Sequence, residues 1–450
     1  MNTVTVVGNG AIGLVTAIQI RRKLEKAEVI CVGPSHRNGS ASYAAGAMAN
    51  VFAEIEKVPE SQSNFEHRSL QVGIRGSNGW RELLSELNLE KWLTASDTLV
   101  LLKKDASEFE LGHYDEMENV AKGFGIATPE RPESLDFLWD PSKFDRGLRL
   151  RGEFALDARG VLASLESVAS AMGVKFVDEE VASILQGAVV LANGKTIRTT
   201  KTIVAAGAQT GVLLRDLGLL KMLQGEGTAL VASRKQGPRL NVVLRTVNRG
   251  GAQCGVHLVP TADGGIYIGA GNSVKELGPT EMRFETVRYL FDTAESEFLG
   301  RERAYSLTGN VLMGNRPRSV DGQPLIGPLA ALEDVFVATG TNRVGLTWAP
   351  DIADNVIRWL KNKDLADDYQ DWNPSRSAIP FSTAEAGISY FVESRMAAAY
   401  EHGLIKNPKD KAKREEFEIA ARAQYLDAAA KGFGEQLHPD SWVAVNSNEK

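Results

Sequence analysis

The chain has 450 residues, 43% hydrophobic and 24% charged, the make-up of a soluble globular protein with room for two or three domains. Its net charge of −6 argues against a nucleic-acid or anionic-membrane surface, and no apolar run reaches membrane-spanning length. Cys31 and Cys254 have no metal-ligand or redox-pair spacing, so both are expected as small buried hydrophobes and no metal site is expected.

Reading from the N-terminus, no basic-then-apolar leader precedes the first strand, and a cytoplasmic protein is expected. The apolar run Val4-Thr5-Val6-Val7 feeds into Gly8-Asn9-Gly10-Ala11-Ile12-Gly13, with a helix-compatible stretch at 14–23. This is G-x-G-x-x-G between a strand and a helix, the setting in which it binds a dinucleotide. Gly8 permits the turn, Gly10 admits a pyrophosphate and Gly13 lets the helix pack on the strand. The free N–H groups of the helix start face the phosphates. A second strand is expected at 28–32, followed by a polar loop and the small-residue run 40–49.

Residues 64–89 carry apolar positions at helical spacing, and 97–138 mix short strands with polar loops. Asp157 is placed to cap a helix at 158–172. Strands are expected at 175–177 and 202–206, with a hairpin through Ala192-Asn193-Gly194-Lys195 between them. Further strands are expected at 240–244, 255–259 and 265–268, then a helix at 281–298, a strand at 335–338 and a helix at 351–361. The tail from about Trp372 reads as two amphipathic helices, 384–401 and 410–431, without a functional motif; it suits packing or self-association.

Four blocks resemble one family, the FAD-dependent D-amino-acid oxidase and glycine oxidase superfamily, which also holds the sarcosine oxidases. They are Gly8 to Gly13; Ser42 to Met48; Ile203-Val204-Ala205-Ala206-Gly207-Ala208 with Leu213-Leu214-Arg215-Asp216-Leu217-Gly218; and Gly314-Asn315-Arg316-Pro317-Arg318-Ser319-Val320-Asp321-Gly322-Gln323-Pro324-Leu325-Ile326-Gly327. The last is followed by Val337-Ala338-Thr339-Gly340 and by Arg343-Val344-Gly345-Leu346-Thr347-Trp348-Ala349-Pro350. Order and spacing match over about residues 1–365.

The resemblance implies an α/β fold. A Rossmann-type FAD-binding domain (GR2-like) would comprise residues 1–90, 150–225 and 325–371. An interleaved antiparallel-sheet substrate domain would comprise 91–149 and 226–324, and a C-terminal helical extension 372–450. The same resemblance implies non-covalent FAD, because Tyr43 stands where relatives carry a flavin-linked histidine and 310–315 contains no cysteine. The residues it places against the cofactor are Gly8, Gly10, Ala11, Ile12, Gly13, Ser35, Ser42, Ala45, Gly46, Met48, Val181, Ala206 and Gly207. To these it adds Arg316, Asn342, Arg343, Val344, Gly345, Leu346 and Thr347. Arg343 to Pro350 is expected as a loop leading into a helix whose N–H groups suit negative charge on the flavin.

The implied reaction is hydride transfer from a carbon bearing an amine to flavin N5. The imine is then hydrolysed, and O2 reoxidises the flavin with release of H2O2. Catalytic roles fall to Arg316, His257 and Arg343. Arg316 would hold a substrate carboxylate through its bidentate fork, with Arg318 competing for that role. Arg343 fits a second position beside the flavin or a structural salt bridge. His257, titrating near neutrality, could deprotonate an ammonium substrate or be a satisfied buried histidine. Glu54 and Glu56 could meet a cationic group, although solvated loop acids are the simpler expectation.

At Gly33 the fingerprint calls for an acid that binds ribose hydroxyls. Ser35, His36 and Arg37 nearby could instead receive a 2′-phosphate, which would point to NADP; alternatively backbone groups or Ser35 hold the FAD ribose. Two other functions stay open: a same-fold dehydrogenase of a 2-hydroxy acid or amine with a non-O2 acceptor, and a non-catalytic flavin-binding scaffold subunit.

Overall fold

The computed structural model describes residues 3–233, 239–248, 255–271, 273–279, 281–401, 404–407 and 409–446. Cys254 lies outside the described residues.

Three apolar strands form the centre of a six-stranded sheet. In order across the sheet the strands are Leu325–Leu329, Leu332–Thr339, Lys201–Val204, Thr3–Val7, Glu28–Val32 and Lys175–Val177. All neighbours are parallel except the first pair, which is antiparallel. Thr3–Val7 is flanked by Glu28–Val32 on one side and Lys201–Val204 on the other, so the glycine loop leaves from the middle of the sheet. The helix that follows, Ala11–Lys23, buries Leu14, Val15, Ala17 and Ile18. It is apolar on most sides because helices Ala158–Ala171 and Gly345–Leu360 both pack on it. Cys31 is buried there, as expected, and burial pushes its thiol up to about 12.

A larger, mainly antiparallel sheet runs in the order Gly39–Ser40, Thr308–Ser319, Met222–Ser233, Ile266–Gly269, His257–Pro260, Val243–Thr246, Leu93–Lys103, Phe144–Leu156 and Ala127–Glu130. Here the structure departs from the expected elements. Leu93–Lys103 is one long strand where short strands mixed with polar loops were expected, and Phe144–Leu156, Met222–Ser233 and Thr308–Ser319 are long strands that the sequence reading did not delimit. Met222–Ser233 and Thr308–Ser319 pair along their whole length. The division lines expected at residues 150 and 225 therefore fall inside continuous strands. Helix Glu108–Gly123 was also not expected, although its signal is legible: Ser107 and Glu110 form a capping box.

The helix expected at 351–361 begins at Gly345, six residues earlier, and runs to Leu360 with Pro350 inside it. Proline cannot donate to the carbonyl four residues back. That carbonyl, on Leu346, instead accepts the indole N–H of Trp80 at 2.7 Å. The helix Ser63–Glu86 presents small residues to it: a Cβ on Gly76 would lie 2.3 Å from Thr347 O, and one on Gly79 2.6 Å from Pro350 Cβ.

The tail forms helices Ala384–Glu401 and Lys411–Ala430, the second capped by Asp410. They pack on this chain's own body: Ile388, Phe391, Val392, Met396 and Trp442 share a core with Leu223 and Val320. Among the described residues no helix is long and apolar enough to cross a membrane.

Candidate active site

The glycine loop, the small-residue segment and the start of helix Gly345–Leu360 enclose a cavity of 530 Å³. Gly8 has φ +110, and a Cβ there would lie 2.3 Å from Ala205 O. A Cβ on Gly13 would lie 1.9 Å from Gly8 O, so Gly13 serves the packing of helix on loop and does not line the cavity. Gly10 does line it, and a Cβ there would meet Ser42 Oγ at 3.0 Å. That hydroxyl accepts from Ala11 N at 3.1 Å and so joins the loop to the small-residue segment.

Ala11, Ile12, Ser42, Ala45, Gly46 and Met48 line the cavity, as do Val181, Ala206 and Gly207. From the last helix and the turn before it come Asn342, Arg343, Val344, Gly345, Leu346 and Thr347. Two helix N-termini thus meet one cleft, and both favour negative charge. Tyr267 donates to Ala44 O at 2.9 Å and sits 2.9 Å from a would-be Cβ on Gly46. Only a residue without a side chain fits at 46.

Ser35 departs from expectation. It is absent from the cavity wall, and its hydroxyl and N–H both bond to Asp178, at 2.8 and 2.7 Å. Arg37 is also committed, to Glu166 through an ion pair and to Asn9 O through Nε at 3.2 Å. A guanidinium already paired with a carboxylate is a poor 2′-phosphate receptor, which leaves His36, alone of the three, in the wall without such a commitment to a carboxylate among the described residues. Acidic residues reach the cleft from elsewhere: Glu179 and Glu180, just before Val181, are in its wall.

At the other end charged side chains gather. Arg245 Nη1 lies 2.6 Å from Glu54 Oε1, with Arg245 only 1% exposed. Arg343 lies 3.4 Å from Glu54 and 3.0 Å from Glu56. Glu56 Oε2 accepts in turn from the Tyr390 hydroxyl at 3.3 Å. The two acids are not the solvated loop residues expected. Burial opposes the charge on Glu54, but Arg245 and Arg343 outweigh it and hold the carboxyl at about 2.

His257 lies opposite Arg245 on the neighbouring strand and stacks on Tyr267, with ring centroids 5.8 Å apart. Burial first, and the guanidinium of Arg245 second, push it down to about 3. It is therefore neutral at physiological pH rather than titrating near neutrality.

Arg316 reaches the cavity wall from Thr308–Ser319 and donates to Gly271 O at 3.2 Å. Arg318 does not reach it: it is 2% exposed and 3.5 Å from Asp440 of the tail. The structure brings together Arg316, Arg343 and His257, and adds Arg245, Asn50 and Tyr267, which sequence reasoning missed. A signal for Arg245 existed, an arginine closing the apolar run Val242-Val243-Leu244.

Residues 3–359 match the family described as DAO, FAD dependent oxidoreductase. A glycine oxidase of Pseudomonas aeruginosa is 31% identical over 157 residues, which are 34% of this chain and 40% of that relative's length. In structure the chain is similar to glycine oxidase from Geobacillus kaustophilus, with TM-score 0.71 and 19% identity, covering 84% of this chain and 99% of that one. It is also similar to L-proline dehydrogenase from P. horikoshii, with TM-score 0.67 and 18% identity, covering 83% and 97%.

Proposed function

This chain belongs to the family of FAD-dependent oxidoreductases, and from that premise we propose that it oxidises the C–N bond of a small amine or amino acid that carries a carboxylate. The bare backbone at Gly8 and Gly10, the start of helix Ala11–Lys23 and the cleft of 530 Å³ fit the dinucleotide. Tyr43 and the cysteine-free segment 310–315 favour non-covalent binding. Bound FAD supplies the two-electron acceptor, and the chain supplies position and electrostatics.

The observation that carries the reading is the position of Arg316 in the cleft wall, with Arg318 outside it. A guanidinium fork there holds a carboxylate in one orientation. Arg245 and Arg343 are matched by Glu54 and Glu56 and set the shape and potential of the pocket. His257, kept uncharged down to about pH 3, offers a neutral imidazole to the substrate. Neither it nor Glu54, held at about 2, takes up a proton at neutral pH. Neither therefore serves as the base that deprotonates an ammonium substrate.

The test is a visible spectrum of the purified chain, then a panel of carboxylate-bearing amines and their decarboxylated analogues assayed by peroxide release. A yellow protein that prefers the carboxylate form supports the reading; a colourless one, or equal rates on both forms, contradicts it. Transfer of electrons to an acceptor other than O2 is favoured by one finding, the dehydrogenase among the structures of similar fold. Slow stopped-flow reoxidation by O2 would select it.

A further inference from the structure

The segment after the small-residue run is held from behind by a buried carboxyl group. Glu153, 3% exposed near the end of strand Phe144–Leu156, meets the N–H groups of three consecutive residues. Its Oε1 accepts from Val51 N at 2.6 Å and from Phe52 N, and Ala53 N lies 3.3 Å from Oε2. Consecutive amides aimed at one point form an anion nest, here filled by a side chain 100 positions along the chain from Ala53. Burial pushes the carboxyl up to about 7, against the pull of the three amides. In either protonation state it keeps an oxygen that accepts.

The same strand end also holds the segment through backbone. Ala49 N donates to Phe154 O at 2.8 Å, and Leu156 N to Ala47 O at 3.0 Å. Thr98, on the neighbouring strand, donates from its hydroxyl to Asn50 Oδ1 at 2.9 Å. What is held in this way borders the cofactor cleft: Ala47, Met48, Asn50 and Glu54 are in its wall, whereas Glu153 is not. Glu54 closes the short turn Phe52–Glu54, and from there it meets Arg245 at 2.6 Å and Arg343 at 3.4 Å. Glu56, two residues on, meets Arg343 at 3.0 Å.

Removing the acceptor would leave three buried amides without a partner, and the turn would have to re-form to satisfy them. Glu54 moves with that turn, and Arg343 follows its counter-charges. We propose that Glu153 is a positioning residue of the oxidation site: by gathering the N–H groups of residues 51–53 it fixes Glu54, and through Glu54 it fixes Arg343 at the cofactor cleft. This role rests on the reading of the cleft given above and not on the identity of the substrate.

The test compares Glu153→Leu, of similar size but without an acceptor, with Glu153→Gln, which keeps one carbonyl oxygen for the nest. The flavin-loaded, full-length chain is read in two ways that need no substrate: the visible spectrum of the bound flavin, and the rate of flavin release on dilution. Glu153→Leu should shift the visible band and release flavin roughly tenfold faster, and Glu153→Gln should stay within about threefold of wild type. On the preferred amine, kcat/KM should fall by roughly 10- to 100-fold in Glu153→Leu and recover in Glu153→Gln. A merely structural role would lower the melting temperature of Glu153→Leu and leave the spectrum and release rate of the folded protein as in wild type. That result, or Glu153→Gln as impaired as Glu153→Leu, overturns the proposal. Should Glu153→Leu fail to fold, Glu153→Asp decides: its carboxyl is one methylene short of the nest, so it should also shift the band, and wild-type values would overturn the proposal. A wild type that oxidises no amine would contradict the reading of the substrate while leaving both flavin measurements to decide this one.

Discussion

Arg245 Nη1 stands 2.6 Å from Glu54 Oε1, a contact that ties strand Val243–Thr246 to the loop following the small-residue segment. With Arg245 at 1% exposure, the carboxylate is its counter-charge inside the protein. Glu54→Gln should therefore destabilise the fold by up to about 3–5 kcal/mol, the cost of leaving a buried charge unmatched. The folded carboxyl is held at about 2 against an ordinary value of 4.5, so its contribution is present above pH 4.5 and is lost as pH falls towards 2. Urea unfolding of wild type and variant across that range should show the gap closing. A constant gap would mean that packing, not charge, is what the pair contributes.

Gly10→Val should yield a folded protein without flavin. The space a side chain would enter at Gly10 is the cavity itself, bounded by Ser42 Oγ at 3.0 Å, whereas at Gly8 a Cβ would strike backbone. The ratio of visible to ultraviolet absorbance after purification measures the loss. Normal flavin content would mean the glycine loop has been misread.

Arg316→Ala should lower kcat/KM on a carboxylate-bearing amine by about 30-fold to several thousand-fold, from roughly 2–5 kcal/mol for a truncated charge-assisted pair. Flavin content should hold. Gly227→Ala offers a subtler version, because a Cβ there would lie 2.6 Å from Arg316 Nη2 and displace the flexible end of that side chain. It should raise KM more than it lowers kcat. An unchanged KM in both variants would remove Arg316 from substrate binding.

Tyr390→Phe should reduce kcat/KM by a factor of about 2–10, the value of one ordinary net hydrogen bond, with flavin content unchanged. The reason is the chain of contacts from Tyr390 through Glu56 to Arg343. Deleting residues 372–450 should do more, exposing Leu223 and Val320 and causing aggregation by light scattering. A soluble, fully active truncated chain would show that the extension is independent of the site.

Glu66 has its carboxyl raised by burial and by Glu56 to about 8 from 4.5. A raised carboxyl favours the folded state below pH 4.5, and that advantage is lost as pH rises towards 8. The thermal midpoint of wild type relative to Glu66→Gln should thus fall from pH 5 to about pH 8. Parallel curves would indicate that Glu66 is ionised in the folded protein across the range.

Where neighbours along the chain determine structure, the sequence was sufficient. Val4 to Gly13 announced strand, turn and helix, and Asp157 announced its cap, because apolar periodicity and capping are local. The Arg316 and Arg343 blocks were legible as well. Long strands such as Met222–Ser233 and Thr308–Ser319 were not, since each is defined by its partner across the sheet and not by its own alternation. The helix start at Gly345 was hidden by Pro350, whose missing hydrogen bond is made good by Trp80 from a distant helix. Charge pairing was hidden for the same reason. Arg245 meets Glu54 across 191 positions of sequence, and Tyr390 meets Glu56 across 334. The sequence by itself determined the nucleotide loop and the chemical types available at the site. Only tertiary structure decided which charges are spent on one another, because that depends on distances no local pattern encodes.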